Sequence, residues 1–179
     1  IGRLKQEETT TSWDGNQLTT TVAYPDYANN LLEKQTTTNN TGQTLTETFE
    51  YDDYGNLIEK SLSAADLADR TESYSYTDDG RFLARHTDVS GLESHFTYHP
   101  EGSLHTETDP LGRTTTYSYD AWQRLTQSTD YLGNSSHIRY SWLNTNHMVQ
   151  HREEADGSES ETHYDVWGQS IETRQKDIS

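Results

Sequence analysis

Cysteine is absent from this 179-residue chain, so neither a disulfide framework nor a cysteine metal site is available to it. Proline is scarce, at three residues. Long apolar runs are missing: no stretch approaches the length of a membrane span, which argues against membrane insertion by this segment. The first residues, Ile1-Gly2-Arg3-Leu4, do not resemble a signal peptide. Cationic charge is also short, with 13 Lys+Arg against 30 Asp+Glu and a formal net charge of −17. Phosphate recognition needs a cationic footprint, so nucleic acid and anionic membrane are disfavoured as partners, whereas a cationic partner is compatible. The acidic surface equally serves to keep strand edges soluble and apart.

Leu, Ile, Val and Phe together number 27, about 15% of the chain, a level that at this net charge usually marks disorder. Disordered chains, however, lack aromatic and β-branched residues. Here 12 Tyr, 4 Trp and 27 Thr supply strand formers, and they recur in register.

The register is a repeat. Aromatic-x-Tyr-x-x-x-Gly occurs at Phe49/Tyr51/Gly55, Tyr74/Tyr76/Gly80 and Phe96/Tyr98/Gly102, then at Tyr117/Tyr119 with Gln123 in the glycine slot. Tyr51, Tyr76, Tyr98, Tyr119, Tyr140 and Tyr164 follow one another at 25, 22, 21, 21 and 24 residues. A second landmark keeps the same step: Asp109-Pro110-Leu111-Gly112 is flanked 21 residues away on either side by Asp88-Val89-Ser90-Gly91 and Asp130-Tyr131-Leu132-Gly133. Asn39-Asn40-Thr41-Gly42 and Asp156-Gly157 are looser copies, and Gly168 follows the last tyrosine. Asp and Gly at the two ends of such tetrapeptides are turn chemistry. Each unit therefore reads as two strands rich in Thr, Tyr and Leu, joined by two turns.

Alternation along a strand puts Tyr117 and Tyr119 on one face and Thr116, Ser118 and Asp120 on the other, with Leu125 joining the tyrosine face across the turn. A tyrosine ladder is thus the expected core, and a row of sugar-stacking aromatics is the competing reading. Two turns are expected to be longer or bulged, because Gln123 and Asn144 stand where glycine is expected. Ser63 to Asp69 replaces one turn and is expected to form a helical turn or an extended loop. The whole of 1–179 reads as one array of about six to seven units of about 21–27 residues. Gly2-Arg3-Leu4 matches the Gly-x-Leu after Tyr51, so both ends read as cuts from a larger protein.

Tyr117-Ser118-Tyr119-Asp120-Ala121-Trp122-Gln123-Arg124-Leu125, preceded by Thr108-Asp109-Pro110-Leu111-Gly112-Arg113-Thr114-Thr115-Thr116, closely resembles the Rhs, or YD, repeat family. That family includes bacterial Rhs proteins, the B and C components of insecticidal toxin complexes, wall-associated toxin proteins and teneurins. The resemblance implies an all-β fold of tandem antiparallel β-hairpin repeats forming a curved, open, solenoid-like sheet. In full-length relatives such a sheet closes into a shell, which in the bacterial toxins encloses a C-terminal toxin. It implies a non-enzymatic scaffold from a secreted or cell-surface bacterial protein. Its partners would be the remaining repeats of the parent and an enclosed toxin domain. The structural positions are then Tyr51, Tyr76, Tyr98, Tyr119, Tyr140 and Tyr164, with Gly55, Gly80, Gly91, Gly102, Gly112, Gly133 and Gly168 at the turns.

Other chemistry is thin. His95/His99 and His147/His151 are four apart, which unites imidazoles on a helix but separates them by about 13 Å on a strand, too far for one metal. Asp52-Asp53 and Asp78-Asp79 occupy the turn slot after the repeat tyrosine, where Asp favours the turn, and Glu153-Glu154 is a third acidic pair. No Gly-x-Ser-x-Gly elbow accompanies the abundant Ser, His and Asp. No catalytic residue, cofactor or metal site is expected. The alternative class is an extracellular adhesion module binding a cell-surface glycan through Trp13, Trp122, Trp142 and Trp167.

Overall fold

A computed structural model describes residues 6–13, 16–23, 31–39, 41–65 and 67–176. The expectation for Gly2-Arg3-Leu4 lies outside these residues. The chain divides into two compact units, Ile1–Ser94 and His95–Ser179.

The first unit contains β1 (Gln6–Trp13), β2 (Asn16–Ala23), β3 (Lys34–Asn39), β4 (Thr44–Tyr51), β5 (Leu57–Ala64), β6 (Arg70–Tyr76) and β7 (Leu83–Thr87). Each strand pairs antiparallel with the next. The strand β8 (Glu93–Tyr98) carries the chain into the second unit. There it is followed by β9 (Leu104–Thr108), β10 (Thr114–Tyr119), β11 (Leu125–Thr129), β12 (Ser135–Asn144), β13 (His147–Glu153), β14 (Glu159–Tyr164) and β15 (Ser170–Lys176), again in an up-and-down meander. Each meander is open, for its first and last strands do not pair with one another. No helix occurs among the described residues, and the expected all-β array of tandem antiparallel hairpins is what the chain forms.

The register follows the tyrosines. Tyr51 faces Leu57, Tyr76 faces Leu83, Tyr98 faces Leu104 and Tyr119 faces Leu125, so these four repeat tyrosines each share a face with the leucine across the turn, whereas Tyr140 faces Gln150 and Tyr164 faces Ser170. In all four pairs a bulge falls immediately before the tyrosine.

A single sheet layer covers only part of each side chain. All six repeat tyrosines are half-buried, and the fully buried apolar residues among those described are Ile138 and Val149, on β12 and β13. The expected tyrosine core is accordingly a half-covered ladder, because among the described residues no second layer packs over it.

Within the expected helical turn or extended loop after β5, Asp66 lies outside the described residues. Ser63 and Ala64 extend the strand, and Leu67 N–H donates to Ala64 C=O at 3.2 Å, making a turn before Arg70 opens β6.

Candidate functional site

The local device on which the repeat is built is its turn. In the Asp109 turn, Asp109 N–H donates to Arg113 C=O at 3.0 Å and Gly112 N–H donates to Asp109 C=O at 2.9 Å. This encloses a three-residue loop whose last member, Gly112, has φ +76°. A type I turn followed by one left-handed residue is the favoured geometry for a three-residue hairpin loop, which is why glycine recurs there. The turn after the repeat tyrosine is built the same way. Asp52 N–H donates to Asn56 C=O at 2.9 Å and Gly55 N–H to Asp52 C=O at 3.0 Å, with Gly55 at φ +86°. In the units of Tyr98 and Tyr119 the two turn types, which differ in sequence, are one structure, since the turns opening at His99, Asp109, Asp120 and Asp130 all carry this pair of main-chain bonds.

The opening aspartate holds the loop. Asp109 Oδ1 accepts N–H bonds from Leu111 and Arg113 at 2.9 and 3.0 Å. The same pair of bonds is made at Asp52, Asp88, Asp120, Asp130 and Asp165. Asp109 Oδ2 takes the Arg113 guanidinium at 2.6 Å, Asp120 Oδ2 takes Arg124 at 2.8 Å and Asp130 Oδ2 takes Asn134 at 2.9 Å. Hydrogen bonds to the charged form lower a carboxyl pKa. Asp109 is accordingly held below the ordinary value, chiefly by the Arg113 side chain, Asp130 chiefly by the Asn134 side chain, and Asp88 chiefly by the Leu92 N–H.

Gln123 makes this same turn, with φ +62°, a 3.0 Å bond from its N–H to Asp120 C=O and a 2.9 Å bond from Asp120 N–H to Arg124 C=O. Of the expected longer or bulged turn, the bulge is there, between Ser118 and Tyr119, but the longer loop is not: the Asp120 brace holds Gln123 in the glycine conformation. The Asn144 turn is shorter than expected, since Asn144 faces His147 across the two residues Thr145 and Asn146, with a bulge between Trp142 and Asn144. The turn after Tyr76 carries the extra residue instead, as Thr77 N–H bonds to Phe82 C=O at 2.8 Å. Gly91, Gly102, Gly133 and Gly168 have φ between +76° and +99°, and Gly80 has φ +69°.

The tyrosine hydroxyls reach backwards along the chain. Tyr51 Oη donates to Leu32 C=O at 2.8 Å, Tyr76 Oη to Leu57 C=O at 3.0 Å and Tyr140 Oη to Leu125 C=O at 3.0 Å, while Tyr164 Oη donates to Gln150 Oε1 at 2.8 Å. Burial pushes the phenols of Tyr51, Tyr76, Tyr98, Tyr119 and Tyr140 above their ordinary pKa.

Residues 98–135, which hold both turn types and the Tyr119–Leu125 pair, match the family model described as RHS Repeat. This stretch resembles an RHS repeat. No curated protein matches the chain. Solved structures overlapped by the chain include the Tc holotoxin pore of Photorhabdus luminescens, at 12% identity and TM-score 0.48 over 89% of this chain and 11% of that one. The TcdB2-TccC3-TEV structure overlaps at 14% identity and TM-score 0.49 over 90% of this chain and 10% of that one. TcdB2-TccC3 without its hypervariable C-terminal region overlaps at 12% identity and TM-score 0.44, over 92% and 11%. The chain thus spans about a tenth of those molecules. Such overlaps are too loose to define a fold, which the strand register defines by itself.

Within and beyond the matched stretch, the structure separates the other candidates. His95 lies on β8 and His99 in the following turn, and His99 meets His105 instead, with ring centroids 4.5 Å apart. His147 and His151 both lie on β13. No group of three metal-ligating side chains occurs among the described residues. Trp122, Trp142 and Trp167 are 77%, 64% and 83% exposed, the first and third in turns and Trp142 near the end of β12; the Trp13 side chain lies outside what is described.

One constellation was not visible in the sequence. Ser141 Oγ lies 3.2 Å from His151 Nε2, and His151 Nδ1 lies 3.5 Å from Glu161 Oε2. Its members are ten residues apart in the chain, and only the β12–β13–β14 register, in which His151 faces Glu161, brings them together. Ser141 is exposed, so water competes for the relay's hydrogen bonds, whereas stabilisation of an oxyanion depends on a water-excluded site.

Proposed function

We propose that this chain is a non-enzymatic wall segment of an RHS-type shell, in a secreted bacterial protein whose repeats enclose and help deliver a C-terminal toxin or effector. The observation that carries the reading is the match to the RHS repeat model at 98–135, set among further hairpins that keep the facing Tyr–Leu pair at Tyr51, Tyr76 and Tyr98 and the braced turn at Asp52, Asp88 and Asp165. A structure of this kind supports a wall: it is one sheet layer, it propagates by adding hairpins, and its stability comes from contacts between neighbours. Continuation of the array over the whole of 1–179, and its closure with other repeats of a parent protein, belong to this proposal.

Enclosure is tested by protease protection. In the full-length protein, polypeptide downstream of the repeats should resist digestion under native conditions and become sensitive when the Tyr76 and Tyr119 hairpins are destabilised together. Equal sensitivity in both forms would contradict enclosure.

A further inference from the structure

The turns at Asp120 and Asp165 are near copies: Asp120-Ala121-Trp122-Gln123-Arg124 and Asp165-Val166-Trp167-Gly168-Gln169. In both, the aspartate Oδ1 accepts the N–H bonds of the third and fifth residues, at 2.9 and 3.0 Å in the first and 2.9 and 2.9 Å in the second. In the first, the Arg124 guanidinium completes the turn. It bonds Asp120 Oδ2 through Nε at 2.8 Å and through Nη2 at 2.7 Å, and its carbon lies 5.1 Å from the Trp122 ring centre and 4.3 Å from that of Tyr140. In the second, Gln169 stands in the arginine position, and Asp165 Oδ2 has no partner among the described residues.

We propose that Asp165 and Trp167 form a binding site for a guanidinium group presented by an arginine-bearing polypeptide segment. The template is the chain's own: the Asp120 turn shows that a carboxylate and an indole at these two positions receive a guanidinium edge-on and face-on at once. The net charge of −17 favours a cationic partner over an anionic one. Trp122 remains 77% exposed with the β12–β13 hairpin following its own, so a further hairpin does not by itself cover a tryptophan at this turn position. Trp167, at 83%, is open to a second chain. This inference is independent of the shell reading, since it concerns one turn.

The test follows the indole N–H signals of Trp122 and Trp167 by NMR while an acetylated, amidated tetra-arginine peptide is added at low ionic strength. The Trp167 signal should shift saturably and the Trp122 signal should stay in place. Gln169→Arg, which supplies the guanidinium in cis, should weaken the apparent affinity at Trp167 roughly fivefold or more. Arg124→Gln should make Trp122 respond as Trp167 does. Equal shifts at both indoles would overturn the proposal, as would a titration unchanged by Gln169→Arg. So would a Trp167 response to a neutral β-glucan oligosaccharide without one to tetra-arginine.

Discussion

Tyr76 Oη donates a hydrogen bond to the main-chain carbonyl of Leu57, 3.0 Å away and one hairpin earlier. Leu57 is the residue that faces Tyr51 across the previous turn, so each such bond fastens a tyrosine to the leucine of the hairpin before it. Tyr140 repeats the arrangement on Leu125, the residue facing Tyr119. Tyr76 therefore does two things: it faces Leu83 within its own hairpin, and its hydroxyl couples that hairpin to its predecessor.

Removing only the hydroxyl separates these roles. Tyr76→Phe and Tyr140→Phe should each cost about 1 kcal/mol in urea unfolding, the net value of one such bond. Tyr119, whose hydroxyl makes no hydrogen bond among the described residues, should tolerate Phe with little change. Tyr119→Ala should cost about 2 kcal/mol through lost ring packing. Equal losses in all three Phe variants would contradict the coupling.

The strained turn gives a stabilising substitution. Gln123 at φ +62° is in the conformation that glycine adopts without penalty, so Gln123→Gly should raise stability by about 1 kcal/mol. Gly112→Ala, at φ +76° in open space, should lower it by about as much. Gly80→Ala should be worse than Gly112→Ala, because the added methyl would meet Tyr54 Cδ2 at 2.6 Å. Thermal unfolding of the three variants checks the order.

Acid should loosen the turns. The carboxyls of Asp88, Asp109 and Asp130 are held below their ordinary pKa, so the folded state binds protons less readily than the unfolded one. Their contribution is fully present above the unfolded carboxylate pKa and is lost as pH falls through the lower folded values. The urea midpoint should fall steadily below about pH 4, where unfolded aspartates begin to take up protons. Asp109→Asn, which keeps an oxygen for the loop N–H groups but not the charge for Arg113, should flatten part of that slope.

At the alkaline end, Tyr74 is the group to watch. Burial, then a 2.7 Å bond to Glu72 and that residue's charge, push its phenol up to about 12. A raised folded pKa means stability present below the unfolded value near 10 and lost as pH rises through the folded one. Ultraviolet titration of tyrosinate should show one late-ionising phenol in this cluster, shifted downward by Glu72→Gln but not fully restored, since burial remains.

The hairpins were legible because two unrelated landmarks, the tyrosines and the Asp-to-Gly turns, keep the same step. Once Tyr119 and Leu125 are placed across one turn, the strand register follows. The Asp120 brace was not legible: glutamine in a glycine slot signals a different loop unless the two N–H bonds to Asp120 Oδ1 are known. The half-covered state of the tyrosines escaped for another reason. Alternation tells which residues share a face, not whether a second layer covers it. The Ser141–His151–Glu161 relay depended on register across three strands, and so did the contrast between Arg124 and Gln169, which becomes meaningful only when both turns are seen to be the same structure.

The wall reading meets its most direct test in electron cryomicroscopy of the full-length protein that carries these residues. The account predicts that the strands from Lys34 to Lys176 lie within a continuous sheet around an enclosed volume, with polypeptide density inside. Finding the same strands in an exposed arm, with the downstream polypeptide outside any enclosure, would contradict it.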